Sequence, residues 1–258
     1  MIYDTLRVTL ENDVAVIALN RPDVMNALNT QMRAELTSAI LEMGRAARVV
    51  VLTGTGASFC SGQDLGDGSS LAKLDLERTL RDEYEPMLHA IINCPVPTIT
   101  ALNGVAAGAG ANLALAADVV IATKSAYFTQ AFTKIGLIPD AGGTYFLPRL
   151  VGQAKAMGAA LFAEKITAEQ ADAWGMIFEA IEDDAFDAHW RARAAKLATG
   201  PSVAYKNIKN ALGKTWQNTL EEQLSLEAKL QKECGNTRDF QEGILSFIEK
   251  RAPNFEGR

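Results

Sequence analysis

Apolar and polar positions alternate from the start of the chain. Thr5–Leu10 and Val14–Leu19 carry apolar residues at strand spacing, and Glu11-Asn12-Asp13 between them supplies turn residues, so a β-hairpin is expected. After Arg21-Pro22 the spacing changes: Leu28, Met32, Leu36, Ile40 and Met43 recur at helical intervals, predicting a helix from about Asn26 to Arg45. Arg48–Thr53 is a Val-rich run closed by Gly54-Thr55-Gly56, the pattern of a buried strand. The order then recurs, with a polar loop through Gly68, a helix from about Leu71 to Ile92 and a strand over Pro97–Leu102. A turn at Asn103-Gly104, a small-residue helix over Ala109–Ala116 and a strand over Val119–Ala122 follow. Repeated strand-strand-helix units predict an α/β fold wound as a stacked spiral rather than a doubly wound sheet.

Beyond about Gly152 the spacing is helical, apart from a short strand near Ile177–Ile181. Helices are expected over Gln153–Phe162, Ala168–Trp174, Ala185–Ala198, Ser202–Leu212, Thr219–Glu233 and Thr237–Ile248. No linker composition separates this part from the rest. The expected organisation is a spiral core over 1–195 and a packed helical lobe over 196–258.

Composition narrows the function classes. A net charge of -6 gives no reason to expect nucleic-acid binding, although local cations and backbone amides still permit an anionic ligand. Cys60, Cys94 and Cys234 form no paired framework, which points to a reducing compartment. His89 and His189 are too few and too scattered for a metal site, and none is expected. Met1–Leu10 does not read as a signal peptide, and no apolar run approaches the roughly 20 residues that span a bilayer. A cytoplasmic enzyme without membrane association is the expectation.

Three segments carry candidate chemistry. Gly54 to Leu65 (GTGASFCSGQDL) and Asn103 to Asn112 (NGVAAGAGAN) each follow a strand and are crowded with small residues. Such loops let the backbone approach a ligand and aim N–H groups outward, and the second leads into a helix start, which carries free N–H groups. One donor from each suffices to hold a single oxyanion, whereas the plainer reading is tight turns and close packing. A dinucleotide site fits poorly, because Gly108-Ala109-Gly110 lacks the third glycine and the following acid. In the third segment, Ile135 to Thr144 (IGLIPDAGGT), one acid lies in an apolar, glycine-rich stretch. Partial burial would raise the pKa of Asp140 toward proton transfer, but Asp140 also suits the N-cap of the helix that follows, and the residues alone leave both open.

Together, along nearly the whole chain, these segments resemble the crotonase (enoyl-CoA hydratase/isomerase) superfamily. Asn20-Arg21-Pro22 with Asn26-Ala27-Leu28 resembles the family's entry motif beside the CoA adenine and phosphates, implicating Arg21 and Ala27. Phe59-Cys60-Ser61-Gly62-Gln63-Asp64-Leu65 resembles the loop that provides the first oxyanion-hole amide, at Gln63, with Ser61, Gly62, Asp64 and Leu65 lining the ligand. Asn103 to Gly110 resembles the loop that provides the second, at Ala109, with Gly110 beside it. Phe247-Ile248-Glu249-Lys250-Arg251 resembles the C-terminal helix whose Phe247 and Lys250 reach the CoA of a neighbouring subunit. The resemblance implies an acyl-CoA thioester substrate, no further cofactor, and trimers often paired into hexamers.

The acids decide the subtype. The two glutamates with which the family's hydratases activate water fall at Asn112 and Phe132, neither of which shuttles protons. A carboxylate appears eight residues after Phe132, at Asp140, as in the family's double-bond isomerases and 4-chlorobenzoyl-CoA dehalogenases. The run Gly136 to Thr144, with Gly104 to Gly110 and Trp174-Gly175-Met176-Ile177, is especially similar to the ring-1,2-epoxyphenylacetyl-CoA isomerase branch of phenylacetate degradation. The implied activity is double-bond migration or ring-epoxide rearrangement through an enolate held by the Gln63 and Ala109 amides, with Asp140 as base. Phe132, Phe128, Tyr145, Leu137 and Ile138 are candidates for an apolar acyl pocket or for plain core, and Lys250 and Arg21 for phosphate contacts or solvated charges. The rivals are a hydratase working with one acid, a dehalogenase with Asp140 as nucleophile, and a catalytically silent CoA-ester-binding relative.

Overall fold

The computed structural model describes residues 3–66 and 75–258. Strands β1 (Leu6–Glu11) and β2 (Val14–Leu19) form the expected hairpin, with Glu11 paired to Val14. Asn12 and Asp13 both take positive φ, as a two-residue turn that follows the strand twist requires. The first helix, α1, runs over Thr30–Ala46 and is capped by Asn29, whose side chain accepts the Met32 N–H. The sequence pattern had placed its start at Asn26. Instead Met25 and Asn26 sit at positive φ and Leu28 bridges to Gln63, so the apolar spacing runs on into an extended segment.

From there the chain alternates between two sheets. Strand β3 (Val49–Gly54) lies in the first and β4 (Ser58–Cys60) in the second; α2 (Leu76–Thr79), a π-helical turn over Leu80–Tyr84 and α3 (Glu85–Ile92) return the chain to the first. The expected loop through Gly68 and the helix start at Leu71 lie outside the described residues. Strands β5 (Thr98–Leu102) and β6 (Val105–Ala107), then α4 (Ala109–Leu115), make the second turn of the spiral. Strands β7 (Val119–Thr123) and β8 (Tyr127–Thr129), a 3-10 segment over Ala131–Ile135 and α5 (Gly143–Phe162) make the third. A two-residue β9 (Ile166–Thr167), α6 (Ala168–Ala173), β10 (Glu179–Ile181) and α7 (Phe186–Ala198) follow, then α8 (Ser202–Lys214), α9 (Leu220–Gly235) and α10 (Arg238–Glu249).

The larger sheet has the order β1-β2-β3-β5-β7-β10, parallel except at the hairpin; the smaller has the order β4-β6-β8-β9, parallel except at β9. This is the α/β spiral of strand-strand-helix units that the pattern implied. The central strands β3, β5 and β7 are buried on both faces, hence their largely apolar runs. Val50, Leu52, Val120 and Ala122 face the main core with α1 and α3. Val49, Val51, Ile99, Ala101 and Ile121 face a second core closed by Phe186, Trp190, Ala194 and Ala198 of α7. Helix α7 thus packs on the sheet and runs through the boundary expected at 195/196. Among the described residues, no helix is long and apolar enough to cross a membrane, and no cluster of His, Cys, Asp and Glu could hold a metal ion.

Candidate active site

The smaller sheet assembles the candidate residues. Its parallel pairs, Ser58 with Val105 and Ala106 with Phe128, bring the C-terminal ends of β4, β6 and β8 side by side. From those ends emerge the Ser61–Leu65 loop, the Gly108-Ala109 turn into α4, and the Gln130–Phe132 segment. Crevices at the carboxyl ends of parallel strands are where α/β sheets place ligands.

The two loops touch through positions that only glycine fits. A Cβ on Gly110 would lie 2.4 Å from the Cys60 carbonyl oxygen, and one on Gly62, which has φ +95°, would lie 2.8 Å from the Ala107 oxygen and 3.3 Å from the Ala109 nitrogen. The Ala109 nitrogen is therefore adjacent to the chain that carries Gln63. Leu28 donates to the Gly62 oxygen (2.8 Å) and accepts from the Asp64 nitrogen (3.1 Å), which fixes the peptides on both sides of Gln63. The Gln63 and Ala109 N–H groups have no acceptor among the described residues. Two unspent amide donors on touching loops can share one carbonyl oxygen.

The entry segment braces the same loop. Arg21 Nη1 donates to the Ala27 oxygen (2.6 Å) and to Asp64 (2.7 Å), and the guanidinium holds the Asp64 carboxyl below its ordinary pKa. Ser61 donates its N–H to Met25 (3.0 Å), and Asn26 Nδ2 ties down the Thr55 and Ser58 carbonyls (3.0 and 2.8 Å). Ala27 is buried and Leu65 exposed.

Asp140 abuts α4 one turn beyond Ala109. Asn112 Nδ2 donates to the Asp140 carbonyl oxygen (2.8 Å), and Gln130 Nε2 donates to Asn112 Oδ1 (2.8 Å), both amides being fully buried. The Asp140 side chain does not cap α5: Gly142 occupies the N-cap and no side chain serves it. Its Oδ1 is buried without a hydrogen-bond partner among the described residues, and burial pushes the carboxyl pKa up to about 6. A carboxyl so placed is a competent proton acceptor near neutral pH.

The structure brings Arg21, Ala27, Ser61, Gly62, Gln63, Asp64, Ala109, Gly110, Phe132 and Asp140 into one region. Phe132 is buried, its ring 3.8 Å from the position a Cβ on Gly108 would take. Of the other acyl-pocket candidates, Phe128 is core, Leu137 is half-buried, Ile138 is 76% exposed, and Tyr145 is 44% exposed beneath the Arg149 guanidinium (3.6 Å). Phe247, 85% exposed, borders a groove between α8, α9 and α10, and Lys250 is exposed at the end of α10.

Sequence reasoning missed the groups behind Gln63. Arg33, 2% exposed, donates to Gln63 Oε1 (2.9 Å) and to Glu83 (2.6 Å), and Tyr84, 3% exposed, donates its hydroxyl to the same Gln63 oxygen (2.7 Å). The one available signal was an arginine on the apolar face of α1, one residue after Met32.

Comparison with known proteins agrees with this geometry. The family model for enoyl-CoA hydratase/isomerase matches residues 9–258. A Rhodobacter capsulatus protein described as a probable enoyl-CoA hydratase is 59% identical over the full length of both chains. The 1,2-epoxyphenylacetyl-CoA isomerase of Escherichia coli is 42% identical over 96% of this chain and 97% of its own. A Mycobacterium abscessus crystal structure classed with the enoyl-CoA hydratases/isomerases superposes with a TM-score of 0.93, at 36% identity, covering 98% of this chain and all of that one. The expected kinship to the epoxide isomerases is thus joined by a more identical relative that carries a hydratase name. With its spiral of paired strands, its two touching amide loops and this match over nearly every residue, the chain belongs to the enoyl-CoA hydratase/isomerase family and acts on acyl-CoA thioesters.

Proposed function

We propose that the chain is an acyl-CoA isomerase that uses Asp140 as its one proton-transferring group. The thioester oxygen sits between the N–H groups of Gln63 and Ala109, which stabilise the enolate formed when Asp140 removes the α-proton. Reprotonation by the same carboxyl at the γ-carbon moves the double bond from the 3,4 to the 2,3 position. In a ring epoxide the same enolate stabilisation serves the rearrangement to an oxepin. Removing one such amide donor typically costs about 3 kcal/mol of transition-state stabilisation.

The observation that carries this reading is the Asp140 carboxyl itself, with a buried, unpartnered oxygen and a pKa pushed up to about 6. The Asn112 amide on the Asp140 carbonyl and the Gln130 amide behind it move no proton at neutral pH, nor does the Phe132 side chain. Hydration of a 2-enoyl-CoA is the second reading, favoured by the name of the Rhodobacter capsulatus relative. It requires Asp140 alone to hold and deprotonate water.

A panel of acyl-CoA esters separates the readings. The 3-enoyl esters and a ring-epoxide ester are expected to give isomers of unchanged mass. A gain of 18 mass units from crotonyl-CoA at a comparable rate would overturn isomerisation in favour of hydration. We further propose that Arg21 and Lys250 contact CoA phosphates and that the chain works as a trimer or hexamer in which Phe247 and Lys250 serve a neighbouring subunit.

A further inference from the structure

Gln63 is bonded through its side chain far more heavily than a donor of one backbone N–H requires. Its Oε1 accepts from Arg33 Nη1 (2.9 Å) and from the Tyr84 hydroxyl (2.7 Å), and its Nε2 donates to the Asp64 carbonyl (3.1 Å). Both donors are themselves held. Arg33 Nη1 also reaches the Leu28 carbonyl (2.5 Å), Nη2 and Nε engage Glu83 (2.6 and 3.0 Å), and the guanidinium lies 4.8 Å from the centre of the Tyr84 ring. Tyr84 ends the π-helical turn that joins α2 to α3. A π-turn inserts one residue into a helix and so re-aims a side chain, and such turns gather at functional sites.

A buried ion pair is poor evidence for stability, because desolvation offsets most of its attraction. Arg33 Nη1 ties both the Gln63 side chain and the Leu28 carbonyl, and the latter also accepts from Asp64. One guanidinium therefore grips the Leu28–Gln63 bridge from both strands. Burial raises the pKa of the Tyr84 phenol, which keeps it a neutral donor near neutral pH.

We infer that Arg33 and Tyr84 are positioning residues: they clamp the Gln63 side chain and thereby hold its backbone N–H at the angle the enolate oxygen needs. The inference rests on the proposed enolate role of the Gln63 amide. Its effect falls on the transition state, where charge reaches the oxygen, more than on the ground-state ester. A small rotation of the Gln63 peptide weakens that one donor and leaves CoA contacts elsewhere in place.

The test uses Tyr84→Phe, which keeps the ring, and Gln63→Met, which keeps the backbone N–H and the side-chain length. For each, kcat and KM are measured on a 3-enoyl-CoA, together with the red shift in absorbance when a cinnamoyl-type CoA ester binds. That shift reads polarisation of the thioester carbonyl without turnover. Both variants are expected to lose about tenfold in kcat with KM within about twofold, and to show a smaller red shift. The double variant should be little worse than Gln63→Met alone, which already removes the Tyr84 contact. A full red shift and full kcat in Tyr84→Phe would overturn the inference, as would a loss confined to KM. Failure of the parent reading looks different: wild-type protein would then polarise no bound ester at all.

Discussion

Asp140 bears a cost that the fold does not offset. Its carboxyl pKa is pushed up to about 6, against an ordinary 3.8, because burial disfavours the charged form and no cation among the described residues compensates. Two consequences follow. First, a base of this pKa makes kcat/KM rise with pH through about 6 and level off above it, and the Asp140→Asn variant should lack that limb. Second, a raised folded-state pKa adds stability that is present below the unfolded value of 3.8 and is lost as pH rises through 6. Asp140→Asn should therefore melt higher than wild type at pH 8, by about 1–2 kcal/mol after allowance for solvent screening, and the gap should close toward pH 4. Thermal melts at the two pH values check this. Asp140 was legible as a candidate because an acid among Ile, Leu, Pro and Gly is out of place. Whether it capped α5 was not legible, since that depends on Gly142 occupying the cap. Arg33 and Tyr84 were not legible at all, because their meaning comes from a Gln63 oxygen that only tertiary structure brings to them.

Among elements, length decided what could be read. Helices α7 to α10 and strands β1, β2, β3 and β5 begin and end within about two residues of where periodicity placed them. The strands that build the site, β4, β6 and β8, have three residues each, too short for any period; β4 and β6 read as parts of glycine-rich loops, and β8 was not singled out as a strand. The start of α1 was misplaced because Leu28 keeps a buried position while the backbone leaves the helix. Close approach at the α4 start gives this scale its prediction. Gly110→Ala would put a methyl against the Cys60 backbone and should destabilise by about 1–3 kcal/mol while lowering kcat. Gly158→Ala, in the interior of α5 with open space around it, should instead gain about 0.5–1 kcal/mol and leave kcat unchanged. Denaturant melts and turnover of both variants separate a packing role from simple helix propensity.

Across the molecule, the helices after α7 are fastened to the spiral by few polar ties. Lys209 of α8 donates to the Val96 carbonyl (3.0 Å) and pairs with Asp118 (2.6 Å), which also accepts from the Thr98 N–H and hydroxyl (2.7 and 2.8 Å). Arg48 reaches the Gly200 carbonyl (2.5 Å) and the Phe255 carbonyl (3.2 Å). Lys209→Met should loosen these helices, costing about 1–3 kcal/mol and speeding proteolysis after Ala198, with the Asp140 site intact. The lobe also leaves Phe240, Ile244, Leu245, Phe247 and Ile248 exposed on one helix, which suits burial against other copies. Light scattering is expected to return three or six times the 27.7 kDa of one chain.

The most direct test is turnover of a 3-enoyl-CoA by Asp140→Asn beside wild type, with ester affinity measured on the same samples. If one carboxyl carries the proton, kcat falls at least about a thousandfold while Kd stays within about threefold. Turnover within about tenfold of wild type would contradict a mechanism in which Asp140 is the base.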